Sequence, residues 1–370
     1  MLFRSQSLPG VTGSASTGAG FRNDIIVRGG APNENVFYLD GIEIPVINHF
    51  STQGSAGGPQ GILNVSFIDE VKLSSSAFDA KFDNALSSVF EFKQKRGNSD
   101  KLQGNIRMGA TEFASTFEGP LSNNGKTTFL VSARRSYLQF LFHLLDLPIR
   151  PNFWDYQFKV THSIDPKTTL TFLGVGAIDE FTFAAPKNAT PQKLYALNAS
   201  PSINQWSYTM GMTLKRLIKK GYWNLALSKN NLYNVNEKYE NNLDPNKGEK
   251  TFDYNSNDIG NTLRWDISKS LLGIKFTTGF NITDINYDNS TYQLLKYNSL
   301  FTNNNPLQLG TKTYIRYSSS FNYKKYCAFF QLGKRAFNNK LGISAGIRKR
   351  SEEHTSELSH EWISRMPSSA

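Results

Sequence analysis

The sequence holds a single cysteine, Cys327, among its 370 residues. One thiol excludes an internal disulfide framework and a cysteine-cluster metal site. Long apolar runs are also missing, since no stretch approaches the ~18–20 residues that a membrane-spanning helix needs. The longest apolar cluster, Leu138 to Leu147, is interrupted by Gln139 and His143. The N-terminus, Met1-Leu2-Phe3-Arg4-Ser5, has no charged start followed by an apolar core, so no signal peptide is read there. Catalytic groupings are equally scarce. Up to Lys349 there are three histidines, His49, His143 and His162, far apart in sequence and without metal-ligand spacing. Gly174-Val175-Gly176-Ala177-Ile178-Asp179 lacks a third glycine and lies in a strand pattern, which excludes a dinucleotide-binding loop. His162 near Asp165 reads as a strand end and its turn. No enzymatic activity, cofactor or bound metal is expected.

What is present in quantity is aromatic. There are 27 Phe and 16 Tyr in a chain that is only 39% hydrophobic, with a mean hydropathy of −0.42. A transmembrane β-barrel needs this combination, because only every second strand residue faces lipid. A secreted β-sandwich shares it. The formal charge of +11 is unevenly placed: residues 1–100 hold 8 Lys/Arg against 10 Asp/Glu, and residues 101–349 hold 31 against 16. The basic half is either a plain solvated surface or one that meets anionic lipid headgroups or an acidic ligand.

Residues 1–100 are rich in Gly and Ser. Short apolar runs, Ile25-Ile26-Val27, Val36-Phe37-Tyr38-Leu39 and Val71-Lys72-Leu73, are separated by turn signals such as Gly29-Gly30-Ala31-Pro32-Asn33 and Asp40-Gly41. This predicts a small mixed domain of short strands and long loops. From Leu102 onward the apolar period is two. Trp154, Tyr156, Phe158, Val160 and His162 alternate with Asp155, Gln157, Lys159 and Thr161. Trp206, Tyr208, Met210 and Met212 alternate with Ser207, Thr209, Gly211 and Thr213, and the segments at 259–267, 272–282 and 341–347 behave likewise. Short turns at 122–125, 164–167, 219–221 and 338–339 alternate with long connections at about 139–152, 179–203, 236–252 and 289–310. Short turns on one side and long loops on the other mark an outer-membrane barrel. Aromatics near strand ends, among them Tyr137, Trp154, Trp206 and Trp223, fit an interfacial girdle.

In one segment the apolar parity flips, from Thr313, Ile315, Tyr317, Phe321 and Tyr323 to Tyr326, Ala328, Phe330 and Leu332. One long strand with a β-bulge at Lys324-Lys325 is the expected explanation. About ten or eleven strands result, against ~22 in a plugged outer-membrane transporter. Half a barrel leaves two open edges. The last stretch, from Arg350-Ser351-Glu352-Glu353-His354 to Pro367-Ser368-Ser369-Ala370, resembles a translated sequencing-library adapter. Residues 350–370, including His354 and His360, are therefore expected to be a non-native tail, with the natural frame continuing beyond Lys349 and the true start lying upstream.

The first hundred residues resemble the plug of TonB-dependent outer-membrane receptors. Five elements occur in that family's order. They are Leu8-Pro9-Gly10-Val11, then Ile26-Val27-Arg28-Gly29-Gly30, then Val36-Phe37-Tyr38-Leu39-Asp40-Gly41-Ile42, then Ile68-Asp69-Glu70-Val71, and finally Leu86-Ser87-Ser88-Val89-Phe90-Glu91-Phe92. Glu118-Gly119-Pro120-Leu121 and Arg134-Arg135-Ser136-Tyr137 are similar to first barrel strands of a subgroup. The chain departs from the family at Ser74-Ser75-Ser76, where a glycine is usual, and at Phe82-Asp83, where a Tyr-Gly pair is common.

The resemblance implies a mainly β chain. A small, N-terminally truncated α+β plug (1–100) is followed by the first half of an incomplete antiparallel transmembrane β-barrel (101–349). It implies import of a scarce extracellular ligand (siderophore, glycan or peptide) across the outer membrane of a Gram-negative-type cell. Its implied partners are a periplasm-spanning TonB-type protein, outer-membrane lipid and an accessory lipoprotein lid in some relatives; nucleic acid is not among them. It makes Arg28 and Glu70 members of a plug–barrel polar network, beside the motif residues Gly29, Gly30, Asp40 and Gly41. A plain structural ion pair is the other reading of Arg28 and Glu70. Asp40-Gly41 reads most simply as a turn, with Gly supplying the positive φ. Two rival functions stay open, a passive outer-membrane channel and a soluble β-rich binding or adhesion protein.

Overall fold

The computed structural model describes residues 11–13, 24–109, 111–295, 313–337 and 341–355. The first region carries strands β1 (Val11–Gly13), β2 (Ile25–Val27), β3 (Asn35–Leu39), β4 (Ile42–Glu43), β5 (Asn48–His49), β6 (Gln60–Gly61), β7 (Ile68–Ser74) and β8 (Ser88–Gln94). The apolar runs seen in the sequence are β2, β3 and the middle of β7. A four-stranded sheet has the order β4-β3-β8-β7, with β3 and β8 parallel at its centre. β1–β2 and β5–β6 form small antiparallel pairs. The helical part of the expected α+β plug is limited, among the described residues, to 3-10 turns at Pro32–Glu34 and Val65–Phe67.

The second region is one antiparallel sheet of eleven strands in sequence order. These are β9 (Gln103–Met108), β10 (Glu112–Pro120), β11 (Thr127–Ser136), β12 (Ile149–Asp165), β13 (Thr168–Phe183), β14 (Ser202–Ile218), β15 (Gly221–Tyr239), β16 (Lys250–Leu271), β17 (Ile274–Leu295), β18 (Thr313–Ala336) and β19 (Leu341–Thr355). β9 and β19 are not paired with each other, so the sheet is open among the described residues. No helix is long and apolar enough to cross a membrane. The period of two sorts side chains as expected. Asp155, Gln157, Lys159 and Thr161 of β12 are buried against the plug. Trp154, Phe172, Ile178, Trp206, Met212 and Phe330 stand exposed on the outer face.

Two expectations need correction. First, the connections are shorter and the strands longer than the sequence pattern suggested. The stretch 139–152 contains helix α1 (Leu138–Leu144) and the start of β12. The stretch 179–203 contains the end of β13, helix α2 (Pro191–Ala199) and the start of β14. β17 continues through Leu295, well into the predicted loop. The reason is that apolar alternation reports where one face is apolar, whereas backbone pairing continues through polar stretches as well. The 24 residues of β18 extend roughly 75 Å at the usual strand rise, about three times the height of an apolar band of about 25 Å.

Second, β18 is one strand but has no bulge. Both its ladders keep register from end to end, with Lys324 opposite Asp284 and Glu353, and Lys325 opposite Thr283 and Glu352. The parity flip is a change of face. Lys325, Cys327 and Phe329 point inward and are buried, while Tyr326, Phe330 and Leu332 are exposed outward. Farther along, Tyr323 and Phe321 keep the inward parity and stack, and Phe321 also meets Tyr287 across the strand pair.

β19 extends into the expected tail, pairing residues 350–355 with 322–327. Backbone pairing is indifferent to side-chain identity, so this contact carries no information on the origin of those residues. Residues 356–370, the turn Asn338-Asn339 and Leu8–Gly10 lie outside the described residues.

Candidate functional site

The plug lies on the inner face of the sheet. Its apolar core, built from Ile25, Val27, Phe37, Leu39, Ile42, Ile44, Phe90 and Phe92 among others, continues into Leu173, Val175 and Ala177 of β13. At Gly211 of β14 the plug packs tightly on the wall, because an added Cβ would run into the side chain of Ile42. Around this apolar contact, three polar clusters fasten the plug to the wall.

The first cluster centres on His49, which is fully buried on β5. Its Nδ1 lies 2.6 Å from Asp179 Oδ1 on β13, and its Nε2 lies 2.9 Å from Asp155 Oδ2 on β12. Arg134 Nε of β11 donates to the same Asp155 oxygen at 2.6 Å, and Arg134 Nη2 donates to the carbonyl of Gly61 at 2.5 Å. Arg134 also pairs with Glu112 of β10 at 3.3 Å, and Glu112 accepts from Arg107 of β9 at 2.8 Å. The amide of plug residue Gln60 donates to Glu112 at 2.6 Å. The His49 ring packs on Phe153, 4.0 Å between centroids. Burial alone would pull the imidazole pKa down, but the carboxylates of Asp179 and Asp155 outweigh it and raise His49 above its usual value.

The second cluster holds Asp40. Asp40 and Gly41, at φ 49° and 89°, form the two-residue turn between β3 and β4, the geometry in which both central residues need positive φ. The carboxylate meets Lys159 of β12 at 2.9 Å and accepts from both the backbone and side-chain nitrogens of Gln94 at 3.0 Å. Gln94 in turn accepts from Gln157 at 2.8 Å. The turn reading of Asp40-Gly41 is right, and the Asp40 side chain is also a wall contact.

The third cluster surrounds Asp83, which belongs to Phe82-Asp83, one of the two places where the sequence departs from the motif pattern it resembles. Lys325 of β18 lies 2.8 Å away and Arg348 of β19 lies 3.5 Å away. The Cys327 thiol donates to Asp83 at 3.4 Å. Burial pushes the Asp83 carboxyl up, but Lys325 and then Arg348 bring it below the usual carboxylate range. Nearby, Gln331 donates to Asp79 at 2.8 Å and accepts from the Ala80 N–H at 2.9 Å.

The residues singled out from sequence are distributed unevenly. Arg28 and Gly29, at φ 51° and 80°, make the tight turn closed by the Gly30 N–H donating to Val27. A Cβ at Gly30 would collide with Ser87. Arg28 is exposed and has no ion-pair partner among the described residues. Glu70 pairs with Lys93 of the neighbouring plug strand at 3.6 Å, both side chains largely exposed. Arg28 and Glu70 are therefore not brought together. Asp40, Gly41 and Glu70 do line one cavity of 660 Å³, which opens between the plug sheet and the short-turn half of β12–β16 beside Lys159, Arg264 and Asp266. His49, Asp83, Arg134, Asp155, Asp179 and Lys325 were not marked as site residues from the sequence. The available signal was their parity: Asp155, Asp179 and Lys325 are charged residues on strand faces that must look inward.

No protein-family model matches the sequence, and no curated protein matches it either. Solved structures do match. The pyoverdine outer membrane receptor FpvA of Pseudomonas aeruginosa PAO1, bound to pyoverdine, aligns with TM-score 0.60 at 16% identity, over 95% of this chain and 54% of that one. The ferric citrate transporter FecA in its unliganded form gives TM-score 0.63 at 11% identity, over 96% and 54%. The copper transporter OprC gives 0.63 at 11%, over 95% and 52%. The chain thus spans about half the length of the solved structures it matches. At these identities the likeness is one of fold, and the chain has the fold of TonB-dependent outer-membrane receptors, a plug seated against eleven strands of an antiparallel barrel wall.

Proposed function

We propose that the chain is the plug and first part of the barrel of an energy-coupled outer-membrane receptor that binds a scarce extracellular ligand and imports it. The observation that carries this reading is the way the plug is held. Its grip on the wall includes buried ion pairs and hydrogen bonds, from His49, Asp40 and Asp83, around the apolar contact of its core with Leu173, Val175 and Ala177. A permanent stopper gains most from apolar packing. Buried ion pairs roughly break even against apolar replacements, so an interface of this kind separates without exposing a large apolar surface once water and a pulling force reach it. A diffusion pore has no use for such an occluding domain, and a soluble adhesin has no use for the exposed aromatic outer face.

On this reading the ligand binds at the long-connection end, outside the cell. A periplasm-spanning TonB-type protein pulls the plug, and the ligand passes through the barrel that spans the outer-membrane lipid. Solved relatives are named for pyoverdine, ferric citrate and copper; a siderophore, glycan or peptide each suits a polar, aromatic-rich lumen. A lipoprotein lid suits a glycan or a peptide. No covalent chemistry is assigned to the chain.

The test is uptake by cells expressing the full-length gene, with and without the energising partner. Outer-membrane fractionation, heat-modifiable mobility and ligand uptake that stops when the partner is deleted are expected. Uptake that persists without the partner would establish a passive channel. Detergent-independent solubility would establish the adhesin.

A further inference from the structure

The geometry points to proton-linked docking of the plug: His49 is an imidazolium while the plug is seated, and it gives its second proton to water when the plug leaves the wall. The protonation state follows from the contacts alone. Only the undocking step rests on the receptor reading above.

An ionised carboxylate has oxygens that accept and no hydrogen to donate, and a neutral imidazole has one N–H. Both His49 nitrogens nevertheless face a carboxylate oxygen, at 2.6 Å and 2.9 Å. A neutral ring would set one lone pair against a carboxylate, unless an aspartate itself carried the proton. Each aspartate has a further donor that favours its ionised form. Asp155 accepts from Arg134 at 2.6 Å, and Asp179 Oδ2 accepts from the Phe50 N–H at 2.9 Å. The charged groups facing this site come from β9 to β13: Arg107, Glu112, Arg134, Asp155 and Asp179. With the imidazolium they give three positive and three negative charges. With a neutral ring one buried negative charge is left over, in a place where side chains of His49, Asp155 and Asp179 are 0–4% exposed. Unbalanced buried charge is costly, so the proton stays on the ring for as long as the plug is docked.

Once undocked, the ring meets water and returns to an ordinary value of about 6.5. Because the docked value is raised, the docked state is fully favoured below the free value and loses that advantage as pH climbs toward the docked value. Across that window the ratio of docked to undocked plug falls by up to about tenfold per pH unit. Each undocking at neutral pH releases one proton and each redocking takes one up. His49 thus acts as a positioning residue whose hold on the plug weakens in alkaline medium.

The test uses full-length protein in detergent micelles, with ring-15N histidine and the His49 resonances identified by their loss in His49→Gln. Both ring nitrogens are expected to carry hydrogen at neutral pH and above, beyond the range of a free imidazole; a ring with one N–H at neutral pH overturns the proposal. Protease cleavage of the plug is then followed against pH. Wild type is expected to become steadily more susceptible above neutrality, and His49→Gln to be susceptible at all pH values with no such slope. Adding Asp179→Asn to His49→Gln restores the charge balance and is expected to recover most of the protection. A wild-type profile as flat as that of His49→Gln, or no recovery in the double variant, overturns the linkage. Heat-modifiable mobility of each variant reports barrel folding separately. Uptake independent of the energising partner would sink the receptor reading while leaving the ring result standing.

Discussion

At Asp83, a carboxylate lies between Lys325 and Arg348 with almost no access to solvent, the Asp83 and Lys325 side chains being 8% and 9% exposed. Solvent screening is correspondingly weak. Asp83→Asn leaves three cations, Lys325, Arg348 and the more exposed Arg350, facing a neutral amide, and removing one partner of a buried pair costs about 3–5 kcal/mol. Urea titration of plug protease protection in the full-length protein is expected to show that loss, with most of it recovered in Asp83→Asn combined with Lys325→Met. A cost below about 1 kcal/mol would mean that water already screens the site. Gly211 is the steric counterpart. Its missing Cβ makes room for Ile42, so Gly211→Val is expected to weaken plug docking by about 1–3 kcal/mol, the usual range for overpacking. The barrel should still run as a heat-modifiable band, and loss of the band would place the glycine's role in the wall instead. Gly211 is inconspicuous in the sequence, and Asp83 stands out there only as a departure from the family pattern, with no hint of its partners. A glycine in a strand and an aspartate in a loop acquire a role only when the group that approaches them is known.

Strands were more legible than their ends. The period of two in β12 and β14 assigns Trp154, Tyr156, Trp206 and Met212 outward, and the structure agrees. The same signal misplaced the long connections, because it reports on lipid and not on pairing. β18 shows the difference most clearly, as Tyr326 and Phe330 belong to the lipid face while Phe321 and Tyr323 are aromatic on the lumen face of the same unbroken ladder. Single cysteines introduced at Phe330 and Phe321 and carrying a fluorophore are expected to separate these roles. The label at 330 should be quenched by a lipid-borne quencher and the label at 321 by a water-soluble one. If both respond to lipid, β18 contains the bulge that its register lacks.

For the whole molecule, the open sheet governs behaviour. β9 and β19 present unpaired edges among the described residues, and unsatisfied backbone groups are costly in hydrocarbon. The 370-residue chain by itself is therefore expected to aggregate or associate through its edges in detergent, without the heat-modifiable mobility of a closed barrel. A discrete, heat-modifiable monomer would show that eleven strands close on themselves.

The sequence by itself determined the approximate count of wall strands, the outward face of β12 and β14, the plug motifs and the turn at Asp40-Gly41, because each of these depends on neighbours within a few residues. Only the tertiary structure decided which charges meet. His49 lies 106 and 130 residues from its two carboxylates, and Asp83 lies 244 residues from Cys327. Pairing over such distances is set by which part of the plug rests on which strand, and no local pattern encodes that. For the same reason Arg28 and Glu70, adjacent in the logic of the motifs, stay apart in the fold: one sits on an exposed turn, and the other pairs within its own sheet.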